Sequence, residues 1–168
     1  MNKNLKIVLI ILLCIWLGFI FYMSSQTSIS SGKMSKTVTK GVLLIGEKAG
    51  IMQHGAHRSA PIIEKYNIII RNIAHVSMYF VLACVLCFLF WITKLNKFKA
   101  SVITLGIGFI CSVLDEINQM NFIGRNSNGV LLDAIEDIER DTIGICIALL
   151  IFLLIRILSE SRKRNLSH

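Results

Sequence analysis

Arg71, His75 and Tyr79 recur at steps of four, as do Asp133, Asp137 and Asp141, and Asp115 and Gln119 repeat the same interval. At about 100° per residue, a step of four keeps side chains on one helical stripe, each a turn beyond the last. An imidazole and a phenol can move protons, a guanidinium pairs with anions, and carboxylates take protons, cations or hydrogen bonds. Together they suit acid–base chemistry or recognition of a charged group. Their density peaks over residues 115–144, where seven acids, two arginines and Gln119 separate an apolar run over 100–114 from another over 143–158. Asp115 and Glu116 follow directly on the first run. A carboxylate beside hydrocarbon is costly unless it faces protein or water and finds a partner.

The elements that must position these groups are membrane-spanning helices. The chain has 168 residues, 54% of them apolar, and a mean hydropathy of +0.67, too greasy for an ordinary soluble domain. The net charge of +8 does not mark a nucleic-acid binder, because the basic residues flank apolar runs and no zinc spacing or aromatic–basic interleaving accompanies them. All five cysteines, Cys14, Cys84, Cys87, Cys111 and Cys146, lie within apolar runs. The C-x-x-C of Cys84 and Cys87 is read as packing, since free cysteine behaves as a small hydrophobe.

The pattern predicts a single all-α domain over residues 1–168, an integral membrane four-helix bundle with an extracytoplasmic amphipathic, interfacial helix. The spans are placed at about 5–23, 73–92, 100–119 and 141–158. The first follows Lys3 and lacks a small-x-small cleavage pattern, so it reads as an uncleaved span rather than a signal peptide. Residues 24–36 are serine-rich and read as irregular at first. Val38, Val42, Ile45, Ala49 and Met52 then give the interfacial helix its apolar stripe. His54 and His57 have no third ligand nearby and read as a flexible, solvated turn rather than a metal site. Pro61 suits the first turn of the next helix, which could run unbroken to Thr93 and so project beyond the bilayer. Arg156 can snorkel outward, and the basic tail suits anionic headgroups.

Each side of the membrane receives nine lysines and arginines on this topology. The positive-inside rule weights charges in short loops close to span ends. Lys94, Lys97 and Lys99, with the two basic termini, are the compact set. Both termini are therefore expected to be cytoplasmic and the two longer loops extracytoplasmic. The three polar stripes then meet at the outer ends of their spans, and Arg71 is expected to pair with Asp115, Asp137 or Asp141. Any one of these residues could serve packing alone; the whole set rarely converges merely to pack.

The order F-Y-M-S-S-Q (from Phe21), R-N-I-A-H-V-S-M-Y (Arg71 to Tyr79), D-E-I-N-Q (Asp115 to Gln119), Gly124-Arg125 and D-I-E-R-D-T-I-G (Asp137 to Gly144) resembles the VanZ-like family over residues 21–144. Two departures stand out. Asn72 replaces a common lysine, and the arginine of the fourth motif lies further than usual from Asp137. Either the intervening loop carries an insertion or Asp133 takes the role of the first aspartate; the D-T-I-G match favours Asp137 and Asp141.

The resemblance implies a small multi-pass protein of the bacterial cytoplasmic membrane that lowers susceptibility to glycopeptide or lipoglycopeptide antibiotics of the teicoplanin type. The expected ligand site comprises Arg71, His75, Tyr79, Asp115, Glu116, Gln119, Arg125, Asp137 and Asp141. A pocket of cations, carboxylates and amide at headgroup depth suits an anionic head with an apolar tail. Membrane lipids, a lipid-linked peptidoglycan precursor and an acylated glycopeptide all meet that description; nucleic acid does not. No cofactor or metal is expected, because no complete ligand set shows in the spacing, and no nucleophile motif appears. A membrane enzyme acting on a lipid-linked envelope substrate, with His75 and a carboxylate as acid and base, is the alternative. A small transporter is a third reading, weakened by the absence of internal repeats.

Overall fold

The computed structural model describes residues 3–121 and 130–165. Among them the chain forms five α-helices and one short 3-10 turn: α1 (Lys3–Ser24), α2 (Ser28–Lys48), the turn Ala56–Arg58, α3 (Ala60–Ile92), α4 (Lys97–Met120) and α5 (Val130–Asn165). Helices α1, α3, α4 and α5 are each long and apolar enough to cross a membrane. Within their most apolar windows only 17% to 33% of residues are buried inside the protein. The rest, including Ile15, Phe109, Ile110 and Leu150, point outward. Exposed apolar surface on that scale needs a lipid solvent.

Helices α3 and α5 form the central pair. They approach tightly at Gly144, where an added Cβ would lie 2.2 Å from the Val76 carbonyl oxygen. Tyr79, Leu82, Ala83 and Leu86 of α3 pack there with Ile145, Ala148, Leu149 and Phe152 of α5, and Ile20 of α1 and Ala100 of α4 complete the core. The Trp16 indole N–H donates to the Met78 carbonyl at 3.0 Å, tying α1 to α3. At the opposite end of the bundle from the acids, the Arg156 guanidinium lies over Trp91 (5.7 Å) and Phe152 (5.8 Å), and Lys97 pairs with Glu160 at 2.9 Å. The five cysteines are free, and Cys87 is buried in the core as a packing residue.

Two expectations are corrected. Residues 28–36 are helical, not irregular: Thr27 caps α2 by accepting from the Ser30 N–H at 3.3 Å, which offsets the low helix propensity of serine. Helix α5, which contains the span placed at about 141–158, begins at Val130 and so makes the Asp133, Asp137 and Asp141 stripe helical; Asp133 lies in its first turn, where the helix dipole favours an acid. The segment around His57 is a built corner rather than a flexible turn. Glu47, at the end of α2, accepts from the backbone N–H of Gly55 (3.1 Å) and of His57 (2.7 Å) and from His57 Nδ1 (2.7 Å). The His57 backbone N–H is foremost in lowering the Glu47 pKa from 4.5 to about 2. Gly50 and Gly55, both at positive φ, turn the chain on either side of the corner.

Helix α3 runs unbroken, as expected, and at ~1.5 Å per residue exceeds a ~30 Å hydrocarbon core. Its amino-terminal third carries α2: the Ser35 hydroxyl donates to Asn67 Oδ1, Thr39 Oγ1 lies 3.2 Å from the same oxygen, and Lys36 pairs with Glu64 at 2.8 Å.

Candidate functional site

The α3–α5 approach at Gly144 sets the site, because one turn away it brings His75 against the carboxylates of α5. His75 Nδ1 lies 3.2 Å from Asp141 Oδ1, and His75 Nε2 lies 3.7 Å from Asp137 Oδ2. Asp141 is fully buried, and its second oxygen accepts from Ser112 Oγ of α4 at 2.6 Å. The α5 stripe therefore faces α3 at Asp137 and Asp141, while Asp133 is exposed a turn further out. Asp137 and Asp141 are thus the pair that meets His75, and Asp133 is not.

Helix α4 supplies the second group of acids. Asp115 and Glu116 are buried, and Gln119 donates from Nε2 to Glu116 Oε1 (2.9 Å) and lies 3.3 Å from Asp115 Oδ2. Ser24 of α1 donates to the Asp115 backbone carbonyl at 3.0 Å, and Asn118 Nδ2 donates to Ser24 Oγ (2.9 Å). The last turn of α1 is thereby fastened to the acidic end of α4. Tyr79 lies one turn deeper than His75, with no exposed surface, and its hydroxyl has no hydrogen-bond partner among the described residues. One oxygen of Asp115, Oδ1, is likewise buried without a partner.

In front of this cluster lies a partly open cavity of about 170 Å³. Arg71, His75, Asp115 and Gln119 form its polar end. Ile20 and Met23 of α1, Met34 and Val38 of α2, and Ile70 and Met78 of α3 form its apolar wall. Helix α2, which is not among the four helices apolar enough to span a membrane, is thus a wall of the pocket. Glu116, Asp137, Asp141 and Tyr79 do not line the cavity; they stand behind it, toward α5.

The structure therefore brings together His75, Tyr79, Asp115, Glu116, Gln119, Asp137 and Asp141. Arg71 departs from expectation. It lines the cavity but makes no ion pair among the described residues, and its side chain is exposed. The expected pairing with Asp115, Asp137 or Asp141 does not form: His75 and Ser112 hold Asp141, Arg140 takes Asp137 along with Glu136 (2.5 Å), and the exposed Arg71 side chain does not reach buried Asp115. Arg125 lies outside the described residues.

Ser24, Ser112 and Arg140 are absent from the sequence-based site. Ser112 continues the Asp115–Gln119 face one turn earlier, and Arg140 stands three and four residues after its two partners, so helical spacing would have pointed to both. Ser24 has no spacing signal, but it lies in the F-Y-M-S-S-Q motif, which could have pointed to it. The expectation that no metal-ligand set exists is also modified: His75, Glu116 and Asp141 place donor atoms within 4.8 Å of one another. They come from three helices and are 25 or more residues apart, beyond any short ligand motif.

Compared with known proteins, residues 9–156 match the family model described as VanZ/LLP1. Among the curated proteins and among the solved structures, nothing matches.

Proposed function

The chain belongs to the VanZ/LLP1 family, and from that premise we propose that this membrane protein lowers susceptibility to teicoplanin-type glycopeptides by holding an amphiphile in its polar-ended pocket. The observation that carries this reading is the division of the cavity into two parts. Arg71, unpaired among the described residues, stands at the polar end beside His75 and Gln119, and methionine and aliphatic side chains from three helices form the rest of the wall. An anionic headgroup satisfies the guanidinium, and an acyl chain covers the apolar wall, where flexible methionines adapt to it. A lipid-linked peptidoglycan precursor and an acylated glycopeptide share that chemistry. The short loops and termini rich in lysine and arginine support a topology with both ends in the cytoplasm and the pocket facing outward. We take the membrane to be the bacterial cytoplasmic membrane.

The test is teicoplanin susceptibility of a sensitive strain expressing the protein or Arg71→Ala at matched membrane levels. Wild type should raise the inhibitory concentration, and Arg71→Ala should lose the effect. A wild type that changes nothing ends the resistance reading.

A second reading, a membrane enzyme acting on such an amphiphile, is favoured by one observation. His75 is held by Asp141, which is held in turn by Ser112, the arrangement of a base and its orienting groups.

A further inference from the structure

At the polar end of the pocket and just behind it, Asp115, Glu116 and Asp141 are all buried, and no lysine or arginine pairs with any of them among the described residues. Among the described residues the one potentially cationic partner of this group is His75, which pairs with Asp141, since Arg140 is committed to Asp137 and Glu136. Three carboxylates closed off in the membrane need protons or a cation. Beside them, the Tyr79 hydroxyl and Asp115 Oδ1 are fully buried without partners among the described residues. Tyr79 follows His75 by one turn on the same stripe of α3.

We propose that His75, Glu116 and Asp141 form a binding site for one first-row divalent cation, Zn2+ or Mn2+ in type. Their donor atoms already lie within 4.8 Å of one another. His75 Nδ1 and Asp141 Oδ1 are 3.2 Å apart, close to the ~3 Å edge that two ~2.1 Å metal–ligand bonds at a right angle span. One imidazole with two carboxylates selects such ions over Ca2+ or Mg2+, which prefer all-oxygen sets. The outer groups are in place as well. Asp137 faces the second nitrogen of His75, Ser112 holds Asp141, and Gln119 holds Glu116, the orienting contacts that metal ligands require. Three protein ligands leave at least one coordination position open, and His75 also lines the pocket. The site stands on these contacts and not on the identity of the amphiphile.

The experiment measures metal in the detergent-purified, tag-free protein by elemental analysis, before and after chelation and reloading with Mn2+ or Zn2+. About one ion per chain should be held, with a saturable rise in melting temperature on reloading. Pulsed electron paramagnetic resonance of the Mn2+ form should show coupling to one imidazole nitrogen, lost in His75→Gln. Glu116→Gln and Asp141→Asn should weaken binding tenfold or more, whereas Asp133→Asn and the triple variant His54→Ala, His57→Ala, His168→Ala should bind as wild type does. Should the site variants fail to fold, the nitrogen coupling in the triple histidine variant decides, since His75 is the one histidine it keeps. Substoichiometric metal in reloaded wild type, a spectrum without nitrogen coupling, or undiminished binding in folded Glu116→Gln would overturn the proposal.

Discussion

Gly144→Ala should displace the two helices that build the site. The added Cβ would lie 2.2 Å from the Val76 carbonyl oxygen and 3.0 Å from the Phe80 nitrogen, both backbone atoms of α3. Ordinary contact begins at 3.4 Å, so the helices must separate by about 1.2 Å at that point. His75 precedes Val76, and Asp141 lies three residues before Gly144. An opening of that size would stretch their 3.2 Å contact beyond hydrogen-bonding range. Overpacking costs about 1–3 kcal/mol, and the obstacle here is backbone that no rotamer change can clear, so the upper part of that range applies. Alanine returns roughly 1 kcal/mol of helix propensity, leaving a net loss of about 1–2 kcal/mol. Two other glycines of the bundle serve as controls. A Cβ at Gly108 meets the far end of the flexible Ile145 side chain at 2.6 Å, and one at Gly106 meets nothing within 4 Å. Thermal unfolding of the three variants in detergent should rank Gly106→Ala at or above wild type, Gly108→Ala near it and Gly144→Ala clearly below. A Gly144→Ala protein as stable as wild type would refute the close α3–α5 approach and the site derived from it.

Binding and enzymatic readings part at His75→Gln, which keeps a hydrogen-bonding group but removes the titratable ring. If the pocket only binds, teicoplanin susceptibility should stay near the wild-type level. Loss of an acid or base would instead cost about 10²–10⁴-fold in rate and abolish the effect. For topology, Lys33→Cys in a cysteine-free background should react with an impermeant thiol reagent from outside, and Lys99→Cys should not; the opposite pattern would invert the orientation. Because the folded pKa of Glu47 is depressed, its contribution to stability is present above about pH 4.5 and is lost as pH falls toward about 2. Amide exchange at Gly55 and His57 should accelerate over that window, and exchange unchanged down to pH 2 would show that Glu47 does not hold the corner.

The spans were legible because a long apolar run with basic flanks has few other physical meanings, and the four-residue spacings placed His75, Asp137 and Asp141 on faces that do meet. Helix starts were less legible. A serine-rich run reads as irregular until the cap at Thr27 and the packing of Asn67 against Ser35 and Thr39 are seen. Residues 130–140 carry the helical spacing of Asp133, Asp137 and Asp141, but their polarity hides how far before residue 141 the helix starts; α5 begins at Val130. The pairing of Arg71 failed for a different reason. Spacing shows which groups share a face but not which of several cations reaches an acid first, and Arg140, on the same helix as Asp137, has the shorter path. The Glu47–His57 corner and the His75, Glu116 and Asp141 grouping depend on chain folding across separate elements, which leaves no local pattern.

Photo-crosslinking tests the amphiphile pocket most directly. Protein in lipid bilayers would be irradiated with an anionic phospholipid carrying a photoreactive group in its acyl chain, and the labelled residues mapped by mass spectrometry. The account predicts label concentrated on Met23, Met34, Val38 and Met78 along the apolar wall, and strongly reduced there in Arg71→Ala. Label spread evenly over the outward faces of the four spans, at Phe109 and Leu150 as much as at Met34 and unaffected by Arg71→Ala, would contradict it.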